Sequence, residues 1–323
     1  MENFKTVILD GLTASQDDLN WDAFKTLGGV EVFDRTPREL IIERAENADA
    51  VLTNKVPLYA EQLALLPKLK YVGVLATGYN NVDIEEAARR KIPVTNIPAY
   101  GTDSVAQLVF AHILNIANGV WACADSVSRG GWSRSIDITY RVVPQVELAG
   151  LRLGVIGYGT IGRKVAQIGL AFGMKISAFS PSRGTSGRDG AVEFKSVDEI
   201  FAESDIISLN CPLTDKTRNI IDAAAIAKMK RGVWIINTGR GPLIDEAALA
   251  EALNSGRVGA AGLDVLSREP PKDGNPLIGA KNCFITPHIA WTTSAARRRL
   301  IEIAFENLKA WKNGAPQNTV NKI

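Results

Sequence analysis

The chain has 323 residues, of which 46% are hydrophobic and 22% charged, and its formal net charge is +2. These values are typical of globular proteins, and the length allows two domains that each have their own core. The small net charge, without any run rich in Lys and Arg, argues against a nucleic-acid partner.

The cysteine pattern bears on metal binding and on the compartment. The chain has three cysteines, Cys123, Cys211 and Cys283. Their odd number and their spacing predict neither a disulfide framework nor a metal site, and they favour a reducing cytoplasm. The first residues lack the basic and apolar regions of a signal peptide, which also favours the cytoplasm.

The first hundred residues alternate between predicted strands and predicted helices. Apolar runs predict strands at 6–9, 30–33, 50–53, 71–75 and 93–96. The segments between them predict helices at 21–27, 37–45, 59–66 and 84–90. This alternation is typical of a doubly wound α/β domain with a parallel sheet.

A stretch without charged residues follows at 105–124. It contains residues that are unfavourable in a membrane, namely Gln107, His112, Asn115, Asn118 and Gly119. We therefore predict a helix buried between protein layers instead of a membrane span. His112 is then predicted to be a buried structural histidine.

The middle of the chain contains a glycine-rich loop, Gly157-Tyr158-Gly159-Thr160-Ile161-Gly162. It lies between a predicted strand at 151–156 and a predicted helix at 161–173, and a second strand is predicted at 175–179. This βαβ context is what a G-x-G-x-x-G motif requires. A glycine-rich turn that binds nothing is the alternative, but the context favours a dinucleotide site.

The loop glycines have separate roles in such a site. Gly157 permits the tight turn, Gly159 lets the backbone approach a pyrophosphate, and Gly162 lets helix and strand pack closely. The N–H groups of Thr160 and Ile161 begin the helix, whose positive dipole end favours phosphate.

The end of the second strand bears on the choice of cofactor. In place of the usual acid the sequence reads Ser180-Pro181-Ser182-Arg183. Ser180 does not repel a 2′-phosphate, whereas Ser182 and Arg183 can donate to one, and Arg188 is close enough in sequence to contribute. The pattern favours NADP(H) over NAD(H), with an ordinary solvated loop as the alternative.

The second half resumes the alternation. Strands are predicted at 206–210, 233–237, 259–265 and 283–286, and helices at 222–229, 245–255 and 294–312. The last helix is predicted to return to the front domain. The fold class is therefore α/β, with two doubly wound, Rossmann-like domains: a flavodoxin-like substrate domain at 1–101 plus 292–323 and a dinucleotide-binding domain at 102–291. The cleft between two such domains is the default place for chemistry.

Polar motifs follow the late strands, where open α/β sheets place their ligands. They are Asn237-Thr238-Gly239-Arg240-Gly241, Gly262-Leu263-Asp264 continuing to Glu269, and Thr286-Pro287-His288. Together with the glycine loop and with Ala76-Thr77-Gly78-Tyr79 in the front domain, they resemble the D-2-hydroxyacid dehydrogenase family over nearly the whole chain. Within the family, Thr53-Asn54-Lys55 and Pro287-His288-Ile289-Ala290-Trp291 are most similar to the glycerate dehydrogenases, also called hydroxypyruvate reductases.

The resemblance implies a catalytic set of Arg240, Glu269 and His288. His288 would donate the proton to the substrate carbonyl, because its charge can change near neutral pH. Glu269 would hold the other ring nitrogen, and Arg240 would pair with the substrate carboxylate. Taken singly, each could be a surface charge or a structural histidine; the order of the motifs favours catalysis.

The resemblance also implies ligand contacts. Substrate-binding residues would be Lys55, Ala76, Thr77, Gly78, Arg240 and His288. Cofactor-binding residues would be Gly157, Gly159, Thr160, Ile161, Gly162, Ser180, Ser182, Arg183, Cys211, Pro212, Thr217, Thr238, Gly239 and Asp264. Of these, Asp264 would accept a hydrogen bond from the nicotinamide carboxamide, and no metal is implied.

The activity implied is hydride transfer between NADP(H), or NAD(H), and a small 2-keto or 2-hydroxy acid. Reduction of hydroxypyruvate or glyoxylate to D-glycerate or glycolate is the leading expectation. A D-lactate or 3-phosphoglycerate dehydrogenase, or a dinucleotide-sensing co-repressor-like binding protein, is the alternative. The resemblance further implies a homodimer, formed through residues 103–144, without a membrane or nucleic-acid partner.

Overall fold

The computed structural model describes residues 4–16 and 18–323. The chain divides into two compact units, one of Met1–Gly101 with Trp291–Ile323 and one of Thr102–Ala290. Trp291 belongs to the first unit and not to the second, where the sequence had placed it. Its ring packs edge-on against that of Tyr100, with the centroids 6.4 Å apart.

The first unit is built on a parallel sheet of five strands in the order β2-β1-β3-β4-β5. The strands are β1 (Lys5–Ile8), β2 (Gly29–Val32), β3 (Ala50–Thr53), β4 (Tyr71–Val74) and β5 (Val94–Thr95). The α-helices are α1 (Leu12–Ser15), α2 (Ile41–Ala45), α3 (Ala60–Ala64), α4 (Ile84–Arg89) and, from the end of the chain, α11 (Ser294–Lys312). The helix predicted at 21–27 is a 3₁₀-helix over Asp22–Leu27, and α1 was not predicted.

The core of this unit lies on both faces of the sheet, as expected where parallel strands are covered by helices. All residues of β3 and β4 are buried. On one face, α11 repeats a small or apolar residue every four positions, at Ala296, Leu300, Ala304 and Leu308. This spacing directs one side of α11 onto the sheet.

The second unit contains an eight-stranded sheet in the order β13-β12-β11-β10-β6-β7-β9-β8. The strands are β6 (Arg152–Ile156), β7 (Lys175–Phe179), β8 (Arg188–Asp189), β9 (Val192–Phe194), β10 (Ile206–Leu209), β11 (Val233–Asn237), β12 (Val258–Leu263) and β13 (Cys283–Ile285). Among the named strands of the described residues, only β8 and β9 pair antiparallel. The predicted α/β class with doubly wound parallel sheets is confirmed, although the hairpin of β8 and β9 was not predicted.

The helices of the second unit cover both faces of its sheet. They are α5 (Thr102–Asn118), α6 (Val120–Ser128), α7 (Thr160–Ala171), α8 (Val197–Glu203), α9 (Ala223–Lys228) and α10 (Glu246–Asn254). α7 and α5 pack on one face with β6 and β7, while α8, α9 and α10 pack on the other.

The uncharged stretch is two helices and not one. Gly119 takes φ +58° between α5 and α6, a left-handed conformation that ends the first helix. α5 is buried along one face, but α6 has no buried residue, so the prediction of a single buried helix over 105–124 is wrong beyond Asn118. Among the described residues, no helix taken alone is long and apolar enough to cross a membrane; α5 and α6 pass only as a pair bent by 57°, on length and composition.

Candidate active site

The glycine loop lies at the carboxyl end of β6, where the strand order reverses between β7 and β10. Such a switch point opens a crevice at the ends of the strands. Gly157 has φ +100°, and a Cβ there would lie 2.5 Å from the backbone nitrogen of Cys211. A Cβ on Gly162 would lie 2.0 Å from the Gly157 carbonyl oxygen. The two outer glycines are therefore required by the protein's own packing.

The middle glycine, Gly159, is different. A Cβ there would meet no heavy atom within 4 Å, so the space in front of it is open. Gly159 is the N-cap of α7, whose first N–H groups, including those of Thr160 and Ile161, lack intrahelical acceptors. Nearby, Asn210 Oδ1 is buried without a hydrogen-bond partner among the described residues. Open space before free donors fits the pyrophosphate of a dinucleotide.

The loop after β7 carries the residues predicted to choose the cofactor. Ser180 is buried, and its hydroxyl lies 3.0 Å from that of Ser182. The Arg183 side chain is 44% exposed, and its Nη2 lies 4.0 Å from Asp189 Oδ2. Arg188, by contrast, donates to Glu193 over 2.6 Å. Of the two arginines in this loop, Arg183 therefore lies farther from its acidic partner.

The loop after β10 holds Cys211, Pro212 and Thr217. The Thr217 hydroxyl donates to the Pro212 carbonyl oxygen over 2.7 Å, which ties the loop to itself. Burial raises the pKa of the Cys211 thiol to about 11. The thiol is therefore protonated at neutral pH. This favours a role for Cys211 in lining the crevice over a role as a nucleophile.

The structure brings together His288 and Glu269, the two residues that the sequence predicts to act as a catalytic pair. The ring nitrogen His288 Nδ1 lies 2.6 Å from Glu269 Oε2, and both side chains are partly exposed, at 29% and 34%. The other carboxylate oxygen, Glu269 Oε1, accepts the backbone N–H of Leu266 over 2.9 Å. Glu269 is thus held at both oxygens, and it leaves Nε2 of His288 as the ring atom that can reach a substrate.

The backbone of His288 is in an unusual conformation. It has φ +56°, a left-handed geometry that costs a residue with a Cβ about 1–2 kcal/mol. The turn is held by Asp264, whose carbonyl oxygen accepts the N–H of His288 over 2.9 Å. The buried Asp264 carboxylate accepts the N–H groups of Ile289 and Ala290 over 2.9 and 2.8 Å. Asp264 therefore fixes the turn that presents His288.

Arg240 follows β11 and is exposed. Its guanidinium donates to the carbonyl oxygen of Gly239 over 2.9 Å. The Asn237 side chain ties this segment together, because Nδ2 donates to Arg240 O and Oδ1 accepts from Gly239 N. Thr238 is half-buried in the same turn. The turn thus presents Arg240 beyond the end of the sheet.

The first unit carries the remaining predicted substrate residues, Lys55 after β3 and Ala76, Thr77 and Gly78 after β4. The Thr77 hydroxyl donates to Ile97 O, and Ala76 O accepts the N–H of Ile97. Within the described residues, the backbone N–H groups of Thr77 and Gly78 donate to no protein acceptor. They are donors available to a ligand.

Two contacts of the site were not predicted from the sequence. The Thr286 hydroxyl donates to Asp264 Oδ1 over 2.6 Å and lies 3.2 Å from His112 Nε2. The sequence signal was the position of Thr286, two residues before His288. His112 gave no such signal, because it is 174 residues away from Thr286.

Comparison with known proteins places this site in a family. Residues 110–290, more than half of the chain, match the model of the NAD binding domain of D-isomer specific 2-hydroxyacid dehydrogenases. A hydroxypyruvate reductase of Blautia hydrogenotrophica is 45% identical over 98% of this chain and its own whole length. A glycerate dehydrogenase of Methylorubrum extorquens is 41% identical over 88% of this chain and 89% of its own.

A solved structure of a related reductase is similar to this chain over nearly its whole length. An acyclic imino acid reductase in complex with NADPH and D-Arg has a TM-score of 0.86 and 28% identity, over 98% of this chain and all of that one. The resemblance stated from the sequence motifs is confirmed. The chain therefore belongs to the D-isomer-specific 2-hydroxyacid dehydrogenase family, oxidoreductases that use a nicotinamide cofactor on small 2-hydroxy or 2-keto acids.

Proposed function

We propose that this protein reduces hydroxypyruvate or glyoxylate to D-glycerate or glycolate, with NADPH as the preferred cofactor. The observation that carries the proposal is the His288–Glu269 pair, 2.6 Å apart, in the same unit as the glycine loop. An acid held by a carboxylate, in a unit that also carries a dinucleotide-type loop, suits reduction of a carbonyl.

The nicotinamide, when bound, supplies a hydride to the substrate's carbonyl carbon. His288 supplies the proton to the carbonyl oxygen from Nε2, because Nδ1 faces Glu269. The Glu269 carboxylate stabilises the positive charge that His288 carries before it gives up this proton, and it keeps the ring in one orientation. Oxidation runs the same steps backwards.

Substrate binding is assigned to donors that suit a carboxylate. Arg240 offers a planar, always charged fork of N–H groups, the best match to a carboxylate. The N–H groups of Thr77 and Gly78 add uncharged donors, with Ala76 as part of the same loop. Lys55 is exposed after β3 and offers a further positive charge.

The preference for NADPH rests on the loop after β7. Ser180 and Ser182 present hydroxyls where an acid would repel a 2′-phosphate, and Arg183 adds a charged donor. Gly157, Gly159 and Gly162 with Thr160 and Ile161 are assigned to the pyrophosphate. Further along the crevice, Cys211, Pro212, Thr217, Thr238, Gly239 and Asp264 are assigned to the rest of the cofactor.

The choice of hydroxypyruvate or glyoxylate rests on the relatives. The two curated proteins described above are named for hydroxypyruvate reduction and glycerate oxidation, and another, from Aeropyrum pernix and 38% identical, is named a glyoxylate reductase. Pyruvate and 3-phosphohydroxypyruvate are the competing substrates.

The protein is further proposed to be a cytoplasmic homodimer formed through residues 103–144. Support for the dimer comes from exposed apolar side chains on α6 and the segment after it, among them Trp121 at 77%, Ile136 at 100% and Ile138 at 87%. Apolar patches of this kind mark interaction surfaces. Light scattering of the purified protein, with Trp121→Ser as the variant, measures the oligomeric state directly.

The function is tested by following oxidation of NADPH and NADH with four acids, hydroxypyruvate, glyoxylate, pyruvate and 3-phosphohydroxypyruvate. The proposal expects the highest kcat/KM with hydroxypyruvate or glyoxylate and NADPH. A preference for pyruvate or the phosphorylated acid corrects the substrate, and a preference for NADH corrects the cofactor. No oxidation of either cofactor with any of these acids would favour a dinucleotide-sensing binding protein.

A further inference from the structure

His112 lies on α5, away from the sequence motifs, yet it is connected to the turn that carries His288. Only 4% of its surface is exposed, and its Nε2 lies 3.2 Å from the Thr286 hydroxyl. That hydroxyl donates to Asp264 Oδ1 over 2.6 Å. The described residues therefore contain an unbroken chain of polar contacts from α5 to Asp264.

The direction of each hydrogen bond in this chain follows from its members. The Asp264 carboxylate accepts from Ile289 N, Ala290 N and the Thr286 hydroxyl, so the hydroxyl uses its only proton on Asp264. The hydroxyl oxygen must then accept from His112, which places a proton on His112 Nε2. Burial lowers the pKa of His112, so the ring is neutral with this single N–H.

Close packing between α5 and β12 brings His112 to Thr286. A Cβ on Gly262 would lie 2.6 Å from the Cβ of His112, so the histidine occupies the place of a side chain on β12. Gly262 is followed by Leu263 and then by Asp264, and β13 brings Thr286 alongside. The packing of α5 against β12 thus brings His112 into the chain of contacts that ends at Asp264, the acidic residue that holds the His288 turn.

We propose that His112 and Thr286 are positioning residues, which orient the Asp264 carboxylate so that it holds residues 288–290 in the geometry that presents His288. The inference rests on the proposed function for its kinetic readout only. Without the Thr286 hydroxyl, Asp264 Oδ1 loses its shortest donor and the N–H of His112 is left buried without an acceptor. The left-handed backbone of His288 then has one restraint fewer.

The variants separate positioning from folding. Thr286→Val removes the hydroxyl at nearly constant shape, and Thr286→Ser keeps it. His112→Phe removes the N–H at nearly constant shape, and His112→Gln keeps a donor near the Nε2 position. Ile113→Val, at the fully buried neighbouring position of α5, perturbs packing alone.

The kinetic measurement is kcat per folded molecule, with the folded fraction taken from thermal unfolding. Displacement of a reacting group by an ångström can lower a rate by up to about a hundredfold. Thr286→Val and His112→Phe are expected to lower kcat by about tenfold or more with a smaller change in KM. Thr286→Ser and His112→Gln should recover most of the rate, and Ile113→Val should leave kcat unchanged.

A second measurement does not depend on turnover. The chain has two histidines, so a ¹⁵N-histidine NMR spectrum contains two ring systems, which His112→Gln and His288→Asn assign. We expect His112 to be protonated at Nε2 only, and we expect Thr286→Val to shift the ring signals of His288 as well as those of His112. If the His288 signals are unchanged in Thr286→Val, or if kcat is that of the wild type in an active protein, the inference is wrong. A wild-type protein that reduces no keto acid would contradict the proposed function alone, and the spectrum would still decide this inference.

Discussion

The Glu269 carboxylate contacts one ring nitrogen of His288, with Oε2 2.6 Å from Nδ1. Its other oxygen, Oε1, accepts a hydrogen bond from the backbone N–H of Leu266. Because the carboxylate is anchored, the imidazole has one orientation, in which Nε2 contacts no partner among the described residues and can face a substrate. This geometry separates the role of the proton donor from that of its partner, and the two side chains can be tested separately.

Replacement of His288 tests the proton donor. His288→Asn is expected to lower kcat by about a hundred- to ten-thousandfold, the usual loss for a positioned acid. The dissociation constant for NADPH, measured by fluorescence, should change little, because the glycine loop lies elsewhere in the unit. A variant with wild-type turnover would rule out His288 as the acid.

Replacement of Glu269 tests the partner. Glu269→Gln keeps an acceptor for Leu266 N but removes the charge beside His288. A hydrogen bond to a charged group contributes about 1.5–3 kcal/mol, so kcat should fall by about ten- to a hundredfold. Steady-state kinetics at one pH is sufficient, with Glu251→Gln, which changes an exposed acid on α10, as the control. Equal losses in the two variants would contradict the assignment.

The glycine loop offers a matched pair of substitutions. Gly162→Ala places a Cβ against the Gly157 carbonyl and should lower the free energy of unfolding by about 1–3 kcal/mol. Gly159→Ala meets no protein atom and has φ −84°, so the apoprotein should be as stable as the wild type. Its cofactor affinity should nevertheless fall, because the methyl group enters the space assigned to the pyrophosphate. Thermal unfolding and fluorescence titration measure the two effects; unchanged affinity in Gly159→Ala would mean that no phosphate approaches there.

Arg183 is predicted to set the preference for NADPH. Arg183→Ala should raise the dissociation constant of NADPH by about ten- to a hundredfold, the loss of one charge-assisted contact to phosphate, and leave that of NADH nearly unchanged. Arg188→Ala is the control, since Arg188 is already paired with Glu193. Equal effects of Arg183→Ala on both cofactors would indicate a general electrostatic role instead.

The lowered pKa of Asp18 makes the stability of the first unit depend on pH. It accepts two hydrogen bonds from the buried Arg297, which lowers the pKa of Asp18 from 3.8 to about 2. A pKa lowered by folding stabilises the fold above pH 3.8, and this contribution is lost as the pH falls through 3.8 toward 2. Asp18→Asn should therefore lower Tm at neutral pH, and its gap from the wild type should close over that window. Asp22→Asn, in an exposed pair with Lys25, is the control with a small gap throughout.

The sequence predicted elements well where a buried run ends in turn residues. Strands β7 and β11 have the predicted bounds, because their apolar residues are flanked by glycine or polar turns. The stretch 105–124 was predicted less well. It has no charge to distinguish a buried helix from an exposed one, and the conformation of Gly119 depends on where the chain turns next. Exposed apolar residues such as Trp121 carry no sequence signal of their exposure.

The residues of the candidate site also include some that the sequence predicted and some that it missed. Asp264, Glu269 and His288 come together because each follows a late strand, and parallel strands end at one edge of the sheet. The contact of His112 with Thr286 depends on how α5 packs against Gly262 of β12. The two residues of this contact are 174 positions apart in the sequence, so no local pattern encodes it.

The product of hydroxypyruvate reduction tests the proposed function most directly. The purified protein is incubated with NADPH and hydroxypyruvate, and glycerate is resolved by chiral chromatography, with His288→Asn in parallel. The proposed function predicts D-glycerate in amounts equal to the NADPH consumed, and almost none with the variant. L-glycerate, or equal yields from both proteins, would contradict it.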